Sequence, residues 1–366
     1  TVGTAFFGLV MVYSATSIMA KLRYQSTTHF VVQQGIALGI SLVVMLLLKR
    51  THYRNLRSPA VAFATVGVVV VMLLAVYVMD SRQHRWLRLG GLNLQPAELA
   101  KPAIVLFLAY FVAQRARAIN DKHTIMPALM AVGVVTLGIG MADLGTAVVV
   151  GITAAVVFFV AGLETKYFAL LALIALVLGT YFVVSKPYRL ARIVQFFDRE
   201  YKLVDRIDPK GTIKNYLRRS SASRDTNYQM EQSKIAVGAG GPAGLGLTHG
   251  KQKLFYLPEA HTDFIYAVIC EELGLLGSLS VLAVFLLILY RGLRTTLQSG
   301  DDFARYLALG ITTIIVVQAF MNMSVVLAMG PTKGIPLPMI SSGGNSLLAT
   351  LAMMGMLMNV SENGAQ

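Results

Sequence analysis

An all-α polytopic membrane protein, with about ten transmembrane helices and one large extracytoplasmic loop between helices 7 and 8, is the fold class this sequence predicts. Three observations predict it. Hydrophobic residues make up 55% of the chain and charged residues only 14%, well below the roughly 25% charged content usual in soluble domains. Apolar runs of spanning length recur from one end to the other. The basic residues behind the formal net charge of +14 lie in the connections between those runs, not along one soluble face. That pattern points to a membrane setting and sets nucleic-acid binding aside.

The runs lie near 2–20, 30–48, 60–79, 96–113, 127–141, 144–163, 167–184, 264–290, 306–329 and 347–360. The fifth and sixth have to be separated. Read as one helix they would be about 55 Å long at about 1.5 Å per residue, against a hydrocarbon core of about 30 Å. Gly138, Gly140 and Asp143 offer the break, so two helices with a tight turn are expected. The last run is short unless it starts near Ile340. Beginning at Thr1 instead of a methionine, the chain is expected to start inside a longer protein. Its single cysteine, Cys270, falls in a helix and leaves no intramolecular disulfide.

Lys and Arg in short loops set the direction of insertion. With the first helix running outward, the inner loops carry Lys49, Arg50, Arg54, Arg57, Arg115, Arg117, Lys122, Lys166, Arg291, Arg294 and Arg305. The outer short loops carry Lys21, Arg23, Arg82, Arg85, Arg88 and Lys333. Both termini are therefore expected in the cytoplasm. The chain reads as a single membrane domain over 1–366, with 185–262 as a large extracytoplasmic loop inside it. That loop is basic, but long loops are exempt from the rule. Within it, 186–198 has apolar residues at helical spacing and predicts an amphipathic helix on the outer surface. Residues 199–226 are polar and much of that piece is expected to be mobile; 228–247 reads as a short helix ended by a glycine run. Gly238, Gly240 and Ala243 fit G-x-G-x-x-A, but no strand precedes them and Pro242 interrupts them, so no dinucleotide site is read there.

On this plan several ionisable groups converge on the outer face. The stretch YLPEAHTDFIYAVICEELG, residues 256–274, turns a polar loop into an apolar helix and places Asp263 at the junction, with Glu259 and His261 just before it. An acid near a spanning helix is costly, up to about 2.5–3.5 kcal/mol for Asp at mid-bilayer. Asp263 either caps the helix or serves as a reactive group, and both can hold together. Glu98 and Lys101, three apart, share a face and can pair; a dipole-matched Glu with a snorkelling Lys explains them equally well. Asp143 reads as an N-cap for the helix from Leu144 or as a site residue. Arg189 and Arg192 would hold a phosphate or lipid headgroup, or anchor the surface helix. In PTKGIPLPMISSGGNS, residues 331–346, Lys333 accompanies a turn at Ser341 and Gly343 that offers backbone N–H groups to an anion, or forms an ordinary re-entrant loop. His261 reads as an orienting or loop-packing residue, since no second histidine lies at metal spacing, and no protein metal site is assigned. Met353, Met354, Met356 and Met358 read as core or lipid-facing filler. A carboxylate at the outer surface, cations nearby and a path for an apolar tail together suit chemistry on a lipid-linked, pyrophosphate-bearing substrate.

The same segments carry a resemblance. RWLRLGGLNLQPAELAKPA (85–103), DLGTA (143–147), PYRLARI (187–193), YQMEQSKIAVGAGG (228–241), YLPEAHTDFIYAVICEELG and PTKGIPLPMISSGG resemble the SEDS family (shape, elongation, division and sporulation) over nearly the whole chain. YLPEAHTDF and PTKG lean to its division type and away from its elongation type, with the sporulation type harder to separate. The resemblance implies a peptidoglycan glycosyltransferase of the bacterial cytoplasmic (inner) membrane. Such an enzyme polymerises lipid II, an undecaprenyl-pyrophosphate-linked disaccharide peptide, on the extracytoplasmic face. The implied partners are a class B penicillin-binding protein transpeptidase, other divisome membrane proteins and membrane lipids. The family's essential acid falls on Asp263, and its other charged motif positions fall on Glu98, Lys101 and Asp143. Met141-Ala142 stands where Gln-Pro is usual, Ser342 where Tyr is usual, and the insertion over 199–226 is unusually large. Those departures bear on the local pocket and on regulation, not on the reaction class.

On that expectation Asp263 is the general base that takes the proton from the acceptor sugar's 4-hydroxyl. The hydroxyl oxygen attacks the donor's anomeric carbon and displaces undecaprenyl pyrophosphate with inversion. Arg189, Arg192, Lys101, Lys333 or a divalent cation (Mg or Mn) would balance the leaving group, while Glu98 and Lys101 would hold the fourth helix in place. Two other classes stay open: a flippase for the same lipid, and a non-catalytic scaffold for a transpeptidase. Against the transporter stand the lack of an obvious repeat and charges gathered at the outer surface instead of the midplane.

Overall fold

Architecture comes from a computed structural model that describes residues 1–80, 85–90, 92–185, 187–198, 204, 206, 208, 222–331 and 334–364. Helices α1 (Val2–Tyr24), α2 (His29–Arg50) and α3 (Pro59–Met79) precede an antiparallel hairpin of β1 (Leu87–Leu89) and β2 (Leu92–Leu94). Then come α4 (Pro96–Arg115), α5 (Lys122–Ala142), α6 (Leu144–Val160), α7 (Thr165–Val184), α8 (Pro187–Phe197) and α9 (Ala222–Gly240). The chain ends with α10 (Ile265–Gln298), α11 (Asp302–Val326) and α12 (Gly344–Asn363). Eight of these, all but α6, α8, α9 and α12, are long and apolar enough to cross a membrane. A helix satisfies its own backbone in hydrocarbon, which is why runs of this composition fold this way. The other two of the expected spans correspond to α6, apolar but 17 residues long, and α12, of 20 residues.

Helix starts follow local chemistry. Ser58 Oγ accepts from Val61 N–H (3.1 Å) just ahead of Pro59, and Asp121 accepts from Thr124 N–H (3.1 Å). Asp143, in an extended conformation, divides α5 from α6, within the segment where the sequence offers a break. The core is built around α4 and α11, which are mostly buried, whereas α7 has no buried residue at all. On α12, Met353, Met354 and Met356 are buried, so the filler reading resolves to core. The same helix is tied to the end of α2 by Asn359, whose Oδ1 accepts from Tyr53 N–H (3.0 Å) and whose Nδ2 donates to the Lys49 and Thr51 carbonyls (2.5 and 2.8 Å).

Three features depart from the sequence expectations. The hairpin of β1 and β2 was not foreseen. Helix α9 starts at Ala222, inside the polar piece expected to be mobile; the rest of that piece, apart from residues 204, 206 and 208, lies outside the described residues. The long apolar run of α10 is interrupted at Gly274 (φ 64°, ψ −157°). The Glu271 and Glu272 carbonyls freed there accept from Leu245 N–H (3.0 Å) and Gly246 N–H (2.9 Å), and Leu275 N–H donates to the Gly241 carbonyl (2.9 Å). The segment after α9 thus completes the broken turn with its own backbone, the condition for irregular chain at membrane depth. Gly244 (φ 81°) and Gly274 make that approach possible, because a Cβ on either would collide with the other segment's backbone.

Candidate active site

Asp263 lies in the loop that leads into α10. Phe264, not Asp263, occupies the N-cap position of that helix, and no side-chain capping bond is made there, so the capping alternative falls away. The loop turns at Glu259, which adopts a left-handed conformation (φ 55°) and whose carbonyl accepts from Thr262 N–H (3.2 Å) and Phe264 N–H (3.1 Å). From the outside, Ser341 Oγ donates to the Thr262 carbonyl (2.5 Å) and Asn322 Nδ2 to the Asp263 carbonyl (2.7 Å). The carboxylate is left facing a cavity of about 300 Å³ whose walls also carry Arg85, Asp143, Arg189, Arg192, Gln229 and Glu259.

Each wall residue is placed by a different element. Asp143 caps α6 and also lines the cavity. Its Oδ1 accepts from Thr146 N–H (3.1 Å) as the cap of α6, while Oδ2 accepts from Thr146 Oγ1 (3.1 Å) and from Arg85 Nη2 (3.1 Å). Arg189 and Arg192 come from α8; Arg189 donates to the Met141 carbonyl (2.9 Å) and the Phe182 carbonyl (3.4 Å), which joins α8 to α5 and α7 near their ends. Glu259 Oε2 accepts from Thr262 Oγ1 (2.8 Å). Burial pushes the Asp263 carboxyl up from 3.8 to about 7; Arg85 pulls it down, Glu259 and Asp143 push it further up, and Arg192 pulls it down. Burial also lowers the His261 pKa and favours the neutral ring. That ring packs near Phe30 (centroids 5.8 Å apart), the His261 carbonyl accepts from Ser342 N–H (3.0 Å), and the residue lies off the cavity wall.

Other sequence candidates do not reach the cavity. Glu98 and Lys101 pair at 2.6 Å, both fully buried, and Lys101 Nζ also donates to Gln318 Oε1 (2.7 Å) on α11. The lysine does not snorkel. At the turn before α12, Ser341 N–H donates to the Leu337 carbonyl (3.0 Å), Ser342 N–H to His261, and Gly343 N–H to Gln34 Oε1 (3.1 Å). These groups are used within the protein, so the re-entrant-loop alternative replaces the anion-binding turn. Lys333 lies outside the described residues. Next to it, Gly334 is pressed against the acid: a Cβ there would lie 2.6 Å from Asp263 Oδ2. Gly334→Ala is therefore expected to displace the carboxylate and lower the catalytic rate on the order of 10–100-fold without loss of folded protein, measured as initial rate beside a melting curve.

Arg85, read from sequence only as a loop charge, is a wall residue, and Gln229 was not singled out. Gln318 and Asn322, four apart on one face of α11, gave a signal only through their polarity within an apolar helix. Among the described residues, no three His, Cys, Asp or Glu side chains gather as a metal cluster. A second, apolar cavity of about 630 Å³ runs between α5, α6 and α7, and Leu144 lines both it and the charged cavity.

Fold and cavity define a multi-pass helical membrane protein with a charged pocket next to an apolar groove. A family model described as cell cycle protein, FtsW/RodA/SpoVE, matches residues 1–366. A protein of Geobacter sulfurreducens named probable peptidoglycan glycosyltransferase FtsW is 37% identical over 360 residues, 97% of this chain and 91% of that one. Stage V sporulation protein E of Bacillus subtilis is 34% identical over 359 residues, 97% of this chain and 93% of that one. A solved structure described as structural coordination of polymerization and crosslinking by a peptidoglycan synthase complex matches with a TM-score of 0.71 at 26% identity, covering 100% of this chain and 98% of that one. The chain belongs to the FtsW/RodA/SpoVE family of cell cycle proteins.

Proposed function

We propose that this chain, a peptidoglycan glycosyltransferase of the division type, polymerises lipid II with Asp263 as its general base. The observation that carries the reading is the Asp263 carboxyl, raised to about 7, facing a cavity whose walls also carry three arginines, Asp143 and Glu259. A base whose pKa lies near the working pH is ionised often enough to act and basic enough to take a proton.

The acceptor's 4-hydroxyl gives its proton to Asp263 while its oxygen bonds to the donor's anomeric carbon. The bond from that carbon to the pyrophosphate oxygen breaks on the opposite side, with inversion, and the bonding pair leaves with undecaprenyl pyrophosphate. Arg189, Arg192 and Arg85 surround the space where that charge develops, in a partly dry setting that strengthens their effect. Asp143 orients Arg85, and Glu259 shapes the loop. Ser341 and Gly343 hold the acid's loop from behind, and Glu98 and Lys101 act from within the bundle. The donor's polyprenyl tail occupies the groove between α5, α6 and α7. Asp143 and Glu259 are engaged with Arg85, Thr146 and Thr262; among the described residues no three carboxylates gather as a Mg or Mn site, and no step is routed through such an ion.

The positive-inside pattern supports a bacterial inner-membrane setting with both termini cytoplasmic, 185–262 as an extracytoplasmic loop and the cavity facing outward. A class B penicillin-binding protein transpeptidase is the proposed partner, within a larger assembly of divisome membrane proteins. The decisive experiment incubates the purified protein with lipid II, with and without that transpeptidase. Glycan strands support the reading, translocation without strands supports a flippase, and neither supports a scaffold. Because Asp263 must be ionised, the rate is expected to fall about tenfold per pH unit below about 7 and to level above it. A flat rate between pH 5 and 8 would remove Asp263 as the titrating base.

A further inference from the structure

We infer that Asn322 and Gln318, two amides one turn apart on α11, are positioning residues that set the Asp263 carboxylate by tying the loop before α10 to the loop before α12. The inference rests on the proposed role of Asp263 as base. Asn322 is buried, and its Nδ2 donates at 2.7 Å to two carbonyls at once, those of Asp263 and Ile335. Two carbonyl oxygens drawn to one point repel unless a donor lies between them. A neutral amide supplies the hydrogens without adding a charge beside the base, and the reversed amide would set oxygen against oxygen.

Gln318, one turn away, holds the loop before α12 alone. Its Nε2 donates to the Pro336 carbonyl (2.8 Å), and its Oε1 accepts from Lys101 Nζ (2.7 Å), which fixes the direction of the amide. Lys101 is in turn held by Glu98 at 2.6 Å. This gives the buried ion pair, which touches no cavity wall, a route to the acid: it orients Gln318, and Gln318 holds the chain at Pro336. Ile335 and Pro336 directly follow Gly334, whose backbone lies against Asp263 Oδ2. The two amides therefore fix the backbone cover over the carboxylate.

Among the described residues, the charged groups around Asp263 are Arg85 beside β1, Asp143 between α5 and α6, Arg189 and Arg192 on α8 and Glu259 on its own loop. None of them bonds to Asn322 or Gln318 in the structure, so replacing an amide changes the cover and leaves those charges in place. Loosening the cover admits water to the carboxylate and moves its titration toward the ordinary range.

The test uses the full chain with its transpeptidase and lipid II. Asn322→Leu, which keeps volume and removes the donor, is expected to lower kcat about 10–100-fold, leave KM within about threefold, and move the acid limb of the kcat profile down by about one pH unit. Gln318→Met is expected to act in the same direction with a smaller effect. A fall in kcat with an unmoved acid limb, or wild-type kcat, overturns the inference. If Asn322→Leu does not accumulate, Asn322→Ser carries the same measurement, since its hydroxyl reaches at most one carbonyl. Failure of both to fold while Asp263→Ala folds assigns the amide to stability alone and also overturns it. An inactive Asp263→Ala beside a fully active Asn322→Leu sinks only this inference, whereas an active Asp263→Ala sinks the base reading beneath it.

Discussion

Asp263→Asn yields a protein that accumulates and folds but makes no detectable glycan strand from lipid II. The substitution keeps the shape of the side chain and removes its ability to accept a proton, a loss worth about 10²–10⁴-fold in rate for a base within reach. The same change is expected to relieve the fold. Asp263 has a folded pKa of about 7 against 3.8 unperturbed. Below about pH 4 it is protonated in both folded and unfolded chains and contributes no difference. As pH rises from about 4 to 7 the unfolded chain ionises first, so the wild type loses stability, on the order of 1.4 kcal/mol per pH unit before discounting for the open cavity. At pH 8 the Asn variant should therefore melt no lower than wild type in detergent, and the gap should close at pH 4. Strand synthesis by this variant would end the assignment of the base.

The second large effect is on stability. Glu272→Leu is expected to lower folding stability by about 3–5 kcal/mol, because it leaves a buried lysine without its counter-charge. Lys253 Nζ contacts Glu272 Oε1 at 2.5 Å with side-chain exposures of 2% and 0%, and Ser14 of α1 donates to the same carboxylate at 2.6 and 2.7 Å. Thr248 N–H reaches Glu272 Oε2 (3.2 Å) and Lys251 N–H reaches Glu271 Oε1 (2.7 Å). These bonds pin the loop after α9 to the first half of α10, about two turns below Asp263. Replacing the pair together, Lys253→Met with Glu272→Leu, removes both charges and should recover most of the lost melting temperature. If the single variant melts like wild type, or the double variant melts lower still, the pair is not the clamp described.

These contacts also show where sequence reading stops. Spanning helices were legible because hydrocarbon admits few alternatives to a self-bonded backbone, and the division of α5 from α6 was legible because one helix would have been too long. Asp263 stood out because a carboxylate at the edge of an apolar run is expensive. The clustering of Asp143, Arg189, Arg192 and Glu259 around it followed from the loop assignment, and the cavity brings all of them to one wall. What stayed hidden depends on partners far apart in the chain. Glu272 drew no reading of its own from the sequence, because nothing local reveals Ser14 or Lys253 beside it. Charges expected only near the outer rim therefore also lie deeper in the bundle. Nothing near Gly274 in the sequence marks a break, and only the segment after α9 explains it. Gln318 and Asn322 were not singled out, because the carbonyls they serve belong to loops on either side.

Helix α7 has no fully buried residue, and the groove it lines meets the charged pocket at Leu144. On the proposed reading, the donor reaches the acid sideways from the bilayer, by two-dimensional diffusion. Turnover then follows the mole fraction of lipid II among surrounding lipids or detergent, not its concentration in bulk water. Surplus micelles would slow the enzyme at constant total substrate by surface dilution, without touching a single catalytic group.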